Sequence, residues 1–417
     1  MATTTAPRQV GVIGAGVIGV CTALYLQRDG HRVTIIDRQP PGEGTSKGNA
    51  SILAGSSCEP VATPGILKKV PGMLLDPLGP LRIRWQYLPQ IAPWLVKFAA
   101  ASRPARVERI SMALRELSKR AVSSYRPLVE EAGIAEMIRE LGWLSIYRTE
   151  RSFAAAQYDF ELQRRRGVKL EILPQHELRQ FEPTLAPDFK YGVLYPENAH
   201  TVNNFRLVQE LARHFVSRGG RILQAEVTGF QMGAAGPTHI VTRDGKQPVD
   251  AVVVACGAWS KPLTRALGHD VPLETERGYH VMLPNPAVAP RLPVHIADYG
   301  FVATPLEHGL RFAGTVELGG LAAPPNYDRA EVLLQRGRTV FPGLRDEGKT
   351  HWMGHRPSVP DSVPVISGGR HPNCFFAFGH GHLGLTHAAV TGRLIADLAA
   401  GRDSGIDMAP YRVDRPW

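Results

Sequence analysis

A glycine-rich turn near the amino end constrains the fold of this chain more than any other feature. Residues 10–13 are a short apolar run that predicts a buried strand. Gly14, Gly16 and Gly19 follow in the spacing G-x-G-x-x-G, and residues 17–29 have the apolar periodicity of a helix. Strand, tight turn and helix in this order predict a β-α unit whose helix begins at the turn.

Each part of this unit suits a dinucleotide. The glycines permit the tight turn, let the backbone approach a pyrophosphate and let the helix pack on the strand. The helix amino end, at Val17 and Ile18, offers free N–H groups to the phosphates. A second strand at residues 32–37 ends on Asp37, which can accept hydrogen bonds from a ribose, and Arg38 follows it. The pattern therefore predicts a dinucleotide-binding unit.

The loop after the second strand is rich in glycine and small polar residues. A flexible linker is the simpler interpretation, but a loop in this position lies beside the bound cofactor. Its glycines let main-chain N–H groups reach phosphate or ring atoms. The candidate cofactor-binding residues here are Gly44, Thr45, Ser46, Asn49, Ala50 and Ser51.

Composition bounds the class of protein. A chain of 417 residues is long enough for two domains, and 43% apolar with 21% charged residues is typical of a soluble globular protein. Cys21, Cys58, Cys256 and Cys374 lie far apart, which argues against a disulfide framework or a zinc site. The first residues contain no apolar segment typical of a secretory signal, so we expect a cytoplasmic protein.

The net charge of +10 is spread along the chain, and we find no nucleic-acid-binding module. The excess charge favours anionic substrates or an anionic membrane surface. Residues 78–98 mix aromatic and basic side chains, which fits either a helical cover over an active site or peripheral contact with the inner face of the cytoplasmic membrane. The apolar spacing of residues 107–131 predicts one core-facing helix.

From residue 142 onward the periodicity is mostly that of strands. Alternation with turns between predicts a largely antiparallel sheet with one buried face. The apolar run at residues 250–260 instead indicates a return to the parallel dinucleotide sheet. We therefore predict a mixed α/β and α+β fold of two interleaved domains. The Rossmann-like cofactor domain takes residues 1–58, 196–270 and 340–417, and the substrate domain, a mainly antiparallel sheet with helices, takes 59–195 and 271–339.

A second glycine turn lies near the carboxyl end. Gly379, Gly381 and Gly384 again give G-x-G-x-x-G between a strand and a helix, but no second strand or terminal acid follows. The turn therefore does not predict a second nucleotide fold. Its N–H groups at a helix amino end suit a developing negative charge, such as that of a reduced flavin ring. The cofactor candidates here are His380, Gly381, His382, Leu383, Gly384, Leu385 and Thr386.

His380 and His382 lie two residues apart, which raises the alternative of a metal site. No cluster of carboxylates or cysteines accompanies them in the sequence. We therefore predict no metal and expect both histidines to border the flavin ring.

Five stretches are distinctive when taken together: V-G-V-I-G-A-G-V-I-G at 10–19, G-T-S-K-G-N-A-S at 44–51, V-V-V-A-C-G-A-W-S at 252–260, G-H-R-P-S-V-P-D at 354–361 and G-H-G-H-L-G-L-T at 379–386. The chain resembles the FAD-dependent D-amino acid oxidase and dehydrogenase superfamily, which includes glycine oxidase and sarcosine oxidase. Within it, the chain is most similar to bacterial D-amino acid dehydrogenases and D-hydroxyproline dehydrogenases. The motifs are specific for the superfamily and not for one substrate.

The resemblance implies roles for single residues. Arg356 matches the arginine that holds the substrate carboxylate, for which a guanidinium is the natural bidentate partner. An ion pair with Asp361 is the alternative. Val227 matches a main-chain contact to adenine, and Tyr279 resembles a residue of the substrate pocket, with ordinary sheet packing as its alternative. Further catalytic candidates are His280, Tyr299 and His382, and further cofactor candidates are Cys256, Gly257, Trp259 and Arg356 itself.

The implied activity is FAD-dependent oxidation of a D-amino acid or of a cyclic D-imino acid such as D-proline or hydroxy-D-proline. Hydride would pass to flavin N5 without a dedicated side-chain base, and the electrons would pass on to a quinone or another acceptor. The alternatives are a glycine- or sarcosine-type oxidase that uses oxygen, and a flavin-bearing subunit of a hetero-oligomeric dehydrogenase. The sequence leaves open the oligomeric state and whether the flavin is covalently attached.

Overall fold

Two large sheets carry most of the chain. The computed structural model describes residues 6–66, 70, 72, 76, 79 and 81–417. In these residues the strands are β1 Gln9–Ile13, β2 Arg32–Asp37, β3 Ile52–Leu53, β4 Leu81–Ile83, β5 Ile138–Arg139, β6 Trp143–Tyr147, β7 Glu171–Pro174, β8 Tyr191–Tyr195, β9 Ala199–Thr201, β10 Arg221–Gln224, β11 Val227–Gly233, β12 Gly236–Thr242, β13 Gly245–Pro248, β14 Ala251–Val254, β15 Glu274–Leu283, β16 Val294–Ile296, β17 Phe301–Leu306, β18 Gly309–Leu318, β19 Thr350–Ser358, β20 Val365–Gly368 and β21 Cys374–Phe378.

Helices connect and cover these sheets. In the same residues they are α1 Val17–Arg28, α2 Leu88–Ala101, α3 Pro104–Ser118, α4 Ala121–Glu131, α5 Glu150–Ala155, α6 Gln157–Arg165, α7 Gln175–Phe181, α8 Asn204–Ser217, α9 Ser260–Ala266, α10 Asp328–Val340 and α11 Gly384–Ala399.

The parallel sheet has the strand order β10-β2-β1-β14-β21-β20, and only β20 runs antiparallel to its neighbour. β14 pairs with β1 from Val10↔Ala251 to Ile13↔Val254, so the apolar run near residue 252 does return to the amino-terminal sheet. Strands from three separate parts of the chain thus form one sheet. The limits of the two interleaved domains stay a prediction.

Helices α1 and α11 pack closely against each other. A Cβ at Gly392 of α11 would lie 2.7 Å from the carbonyl oxygen of Cys21 in α1, so only glycine permits this approach. Each helix follows one of the two glycine turns. Their packing brings together turns that are more than 360 residues apart in the chain.

The second large sheet has the order β19-β15-β18-β17-β16-β6-β8-β7, with β4 beside β18. Its pairs are antiparallel except β6–β16 and β4–β18. Val281, Phe312 and Leu334 of α10 belong to the apolar cluster that packs against it. The predicted mixed α/β and α+β class, with a mainly antiparallel second sheet, is confirmed.

Residues 107–131 form two helices, α3 and α4, and the prediction of a single helix was wrong. Lys119 and Arg120 separate them, and their N–H groups bond back to carbonyls of α3. Apolar residues remain buried on both sides of the break, including Val107 and Leu128. A break this short hardly disturbs the apolar spacing, so periodicity does not reveal it.

The aromatic and basic segment is only partly a helix. Leu78, where the segment begins, lies outside the described residues; strand β4, a short 3₁₀ turn and α2 follow it. Trp94 is buried and stacks on Phe98 at 5.3 Å, whereas Trp85 and Val96 are 69% and 70% exposed. The segment thus packs with one face, and its contact with a membrane stays a prediction. Among the described helices, none has the length and apolar character needed to cross a bilayer.

Candidate active site

A cavity of about 690 Å³ is lined by residues of both large sheets and by both glycine turns. Its wall includes Gly14 and Gly16 from the first turn and Gly381 and Gly384 from the second. The two motifs therefore face one shared space, as an extended cofactor running from one turn to the other requires.

The first glycine turn is shaped by close backbone contacts. Gly14 has φ +117°, and a Cβ there would lie 2.3 Å from the carbonyl oxygen of Ala255. A Cβ at Gly19 would lie 1.9 Å from the carbonyl oxygen of Gly14. Asp37 accepts a hydrogen bond from the N–H of Ala15 at 2.7 Å, so the acid at the end of β2 also fixes the turn.

Both helices that begin at the cavity present their amino ends to it. Neither first turn contains an acidic residue, and among the described residues neither helix has a side-chain N-cap. At the start of α1, the N–H of Val17 donates to the hydroxyl of Ser46 at 2.9 Å. At the start of α11, Gly384, Leu385 and Thr386 line the cavity. Their partial positive charge suits the phosphates at one end and an anionic ring at the other.

The polar loop at residues 44–51 joins the cavity wall to the second sheet. Thr45 donates its hydroxyl hydrogen to the carbonyl of His355 at 2.9 Å. Ser51 is fully buried, has φ +61° and bonds to Asn204 at 2.7 Å, and it lies outside the described lining of the cavity. The loop is thus a fixed part of the wall, and Ser51 holds it in shape.

The candidates for adenosine contact also line this cavity. Val227, Cys256, Gly257 and Trp259 line it beside Asp37 and Arg38. The guanidinium of Arg38 lies 4.7 Å from the centre of the Trp259 ring, a cation–π distance. An aromatic and cationic surface next to the acid predicted to contact a ribose is compatible with an adenine nucleotide.

Arg356 lies on β19 and points across Gly278 of β15. A Cβ at Gly278 would lie 2.4–2.6 Å from three guanidinium atoms, so the arginine fills the place of the missing side chain. Its guanidinium donates to the carbonyl oxygen of Thr315 at 3.0 Å. Burial lowers the pKa of Arg356 and Glu276 opposes this, but a guanidinium stays charged at neutral pH. The result is an oriented cation in the wall of the cavity.

The alternative partner of Arg356 is engaged elsewhere. Asp361 forms a two-point ion pair with Arg415, at 2.9 and 3.0 Å. The alternative of an Arg356–Asp361 ion pair was wrong, because the carboxyl-terminal Arg415 takes that carboxylate. Arg356 therefore keeps donors for a ligand.

Gly278→Ala should weaken binding of a carboxylate substrate by roughly tenfold or more while the protein folds and keeps its cofactor. The new methyl group displaces only the flexible end of Arg356, so the fold accommodates it but the bidentate geometry is lost. Substrate KM and flavin content of the purified variant check this. Gly368→Ala, whose Cβ would meet nothing nearer than 3.9 Å, is the matched control.

The part of the cavity wall that the second large sheet forms contains residues that the sequence did not point to. Trp352 lines the cavity and lies over Gly354, where a Cβ would be 2.0 Å from its ring. Trp143 stacks on His295 at 5.7 Å, and both also line it. Alternation along β19 was the available signal, because residues 352 and 354 share a strand face with residue 356.

Three of the predicted catalytic residues have side chains held by other parts of the protein, and two of these, His280 and Tyr299, lie outside the described lining of the cavity. His280 donates its Nδ1–H to the carbonyl oxygen of Gly48 at 2.8 Å, and its ring stacks on Trp352. Tyr279 is 1% exposed, and its hydroxyl bonds to Glu317 at 2.5 Å, so its phenol is held in the core although the residue contributes to the wall. Tyr299 is held between Arg148 and Arg336. In the described lining, neither His280 nor Tyr299 appears.

The two histidines of the second turn differ. His380 is buried and bonds through Nε2 to Thr391 at 2.9 Å, whereas His382 is open to the cavity. Burial lowers the pKa of His380 to about 3, and burial with Arg356 nearby lowers that of His382 to about 4. Both are neutral at pH 7. Among the described residues, no group of three or more His, Cys, Asp or Glu could hold a metal ion.

Almost all the predicted cofactor residues line the one cavity. Gly19 and Ser51 are the two that do not: Gly19 packs on the carbonyl of Gly14, and the N–H of Ser51 donates to the side chain of Asn49, and both partners line the cavity. The wall thus combines two glycine turns, two helix amino ends, the acid at the end of β2 and the Arg38–Trp259 pair. These features fit FAD.

Comparison with known proteins agrees with this geometry. Residues 9–398 match the model of the DAO family, described as FAD dependent oxidoreductase. A D-amino-acid oxidase of Bradyrhizobium diazoefficiens is 43% identical over 98% of this chain and 99% of its own. A D-amino acid dehydrogenase of the same organism is 32% identical over 98% of each chain.

A solved structure has the same fold. Glycine oxidase from Geobacillus kaustophilus superposes with a TM-score of 0.73 at 22% identity, over 99% of this chain and 100% of its own. The family match and the full-length relatives agree with the cofactor that the cavity fits. The chain belongs to the DAO family of FAD-dependent oxidoreductases.

Proposed function

We propose that the protein oxidises the amine of D-amino acids, including cyclic D-imino acids of the D-proline type, with FAD as the resident cofactor. The observation that carries this proposal is the position of Arg356. It offers an oriented guanidinium in the cavity that both glycine turns line. A carboxylate is the ligand group that such a guanidinium recognises best.

The names of full-length relatives support an amino acid of D configuration. The relatives at 43% and 32% identity are named D-amino-acid oxidase and D-amino acid dehydrogenase. The cyclic imino acids are a narrower proposal that rests on sequence resemblance.

The residues of this chain act mainly by orientation. Arg356 would hold the carboxylate, and Trp352 and Trp143 would bound the space left for the rest of the substrate. Bound FAD supplies the acceptor for the hydride that leaves the substrate Cα. His382, neutral at pH 7, puts no positive charge beside the substrate amine, which must itself be neutral to lose hydride.

Anaerobic mixing of the purified protein with amino acids tests the function. We expect D-amino acids, among them D-proline and hydroxy-D-proline, to bleach the oxidised flavin band, and their L isomers to leave it unchanged. Glycine and sarcosine belong in the same panel, because they separate this proposal from a glycine-type oxidase. Bleaching by the L isomers alone, or by none of the panel, would contradict it.

The electron acceptor has two candidates. A quinone or another acceptor is the first, and oxygen is the second, which the 43% identical relative named an oxidase favours. After anaerobic reduction, the flavin should regain its absorbance with one acceptor much faster than with the other. Stopped-flow mixing with air-saturated buffer and with a soluble quinone analogue measures both rates. Turnover by the isolated chain would argue against an obligatory hetero-oligomer.

A further inference from the structure

A buried carboxylate lies directly beside the proposed substrate anchor. In the register of β15 and β19, Glu276 is paired with Arg356, so the two side chains project from the same sheet face. Glu276 is 7% exposed. Ser358, the next residue on that face of β19, is buried as well. Arg356 is the cation whose charge stabilises it. The ligand-free site therefore already contains an acidic group near the guanidinium.

A second, small cavity adjoins this carboxylate. It has a volume of about 10 Å³, close to the least that holds one water, and its lining includes Glu276, Ser358, Glu59 and His380. Two of its polar groups, Glu59 Oε1 and His380 Nδ1, are buried without a hydrogen-bond partner in the described part of the chain. A water here would satisfy them and give Glu276 a neighbour with which to exchange a proton.

The binding of a carboxylate ligand changes the number of carboxylates beside Arg356. When Glu276 is ionised, Arg356 compensates one nearby carboxylate; with a carboxylate ligand also bound, two anions would share the same guanidinium in a buried site. Like charges in such a site disfavour ionisation of both. The internal carboxylate is the one that can be protonated, because the ligand is held by the guanidinium directly.

We propose that Glu276 takes up a proton when a carboxylate ligand binds to Arg356, so that substrate binding at this site is coupled to protonation. This rests on the proposed role of Arg356 and adds a second residue to the anchor. The zwitterionic substrate carries a proton on its amine that must leave before oxidation, and Glu276, through a water in the small cavity, would provide a destination for one proton. Glu276 is thus a positioning residue that keeps the charge of the site constant.

The direction of the pH effect is fixed by this coupling. Burial raises the pKa of Glu276 in the free protein, and a bound anion raises it further. Carboxylate ligands should therefore bind best at low pH. Their affinity should fall as the pH rises from the pKa of Glu276 in the free protein to its higher pKa in the complex. The histidines that face the same space, His380 and His382, stay neutral above pH 5 and add nothing there. Glu59 is the other buried acid at the small cavity, with a pKa also raised by burial.

Propionate, which has a carboxylate and no amine, is a suitable probe for the holoenzyme. Its Kd, read from the perturbed flavin absorbance, should rise by up to about tenfold per pH unit over part of the range pH 5.5–9. Glu276→Gln should make Kd independent of pH. Glu274→Gln is the matched control, because this acid is on the same strand but bonds to Tyr87 and should leave the pH dependence intact.

Calorimetry of the wild-type protein in buffers of different ionisation enthalpy gives a second measure that needs no variant. We expect uptake of up to one proton per propionate bound. Binding without proton uptake, or a pH dependence that persists in Glu276→Gln and disappears in Glu59→Gln, would overturn the assignment to Glu276. If the wild-type protein binds no carboxylate at any pH, the role of Arg356 in the proposed function fails and this proposal fails with it.

Discussion

Arg356→Ala should raise KM for the amino acid on the order of 10²–10³-fold while the protein retains its flavin. Removing a charged partner of a desolvated ion pair costs about 3–4 kcal/mol, which corresponds to this factor. The flavin should stay bound, because the turns and helix ends that are proposed to hold it do not depend on this side chain. Steady-state kinetics and the absorbance ratio of flavin to protein measure the two effects.

Arg356→Lys and Arg265→Ala are the controls. Lysine keeps the charge but not the two-point geometry, so it should recover only part of the lost affinity. Arg265 is exposed, pairs with Asp270 and is not in the described lining of the cavity, so its removal should leave KM unchanged. An unchanged KM in Arg356→Ala would remove this residue from the substrate site.

Local patterns predicted the cofactor side of the site because the chemistry there is local. The first glycine turn, its helix and Asp37 lie within 30 residues, and each position has a backbone reason that the sequence displays. The structure adds the reason why only glycine fits: a Cβ at Gly19 would lie 1.9 Å from the carbonyl oxygen of Gly14. The motif therefore predicted a geometry as well as a ligand.

The substrate side depends on strand register, which the sequence does not display. Trp352 and Gly278 reach the cavity only because β15, β18 and β19 pair as they do. Tyr279 shows the converse: it is next to Gly278, but strand alternation turns its ring into the core. Arg415, which pairs with Asp361 in place of Arg356, lies near the carboxyl end of the sequence. Contacts between distant segments decide each of these outcomes.

Gly19→Ala should abolish tight FAD binding and lower stability markedly. The added methyl group would lie 1.9 Å from the carbonyl oxygen of Gly14 and 3.6 Å from Val12. The first contact is with backbone and cannot be relieved by a rotamer change, so α1 must move away from the turn. Overpacking typically costs 1–3 kcal/mol, and a backbone clash should reach about the upper value. The shift also moves the helix amino end from the phosphate position.

Gly229→Ala separates this effect from a general intolerance of added methyl groups. Gly229 lies in β11, and a Cβ there would meet no atom of the described residues within 4 Å, so the variant should match the wild type in melting temperature and flavin content. Gly19→Ala should be colourless as purified and should fail to regain colour with excess FAD. If it instead binds FAD as the wild type does, the close approach of helix and turn cannot be what positions the cofactor, and the amino-terminal motif would lose its central role in the site.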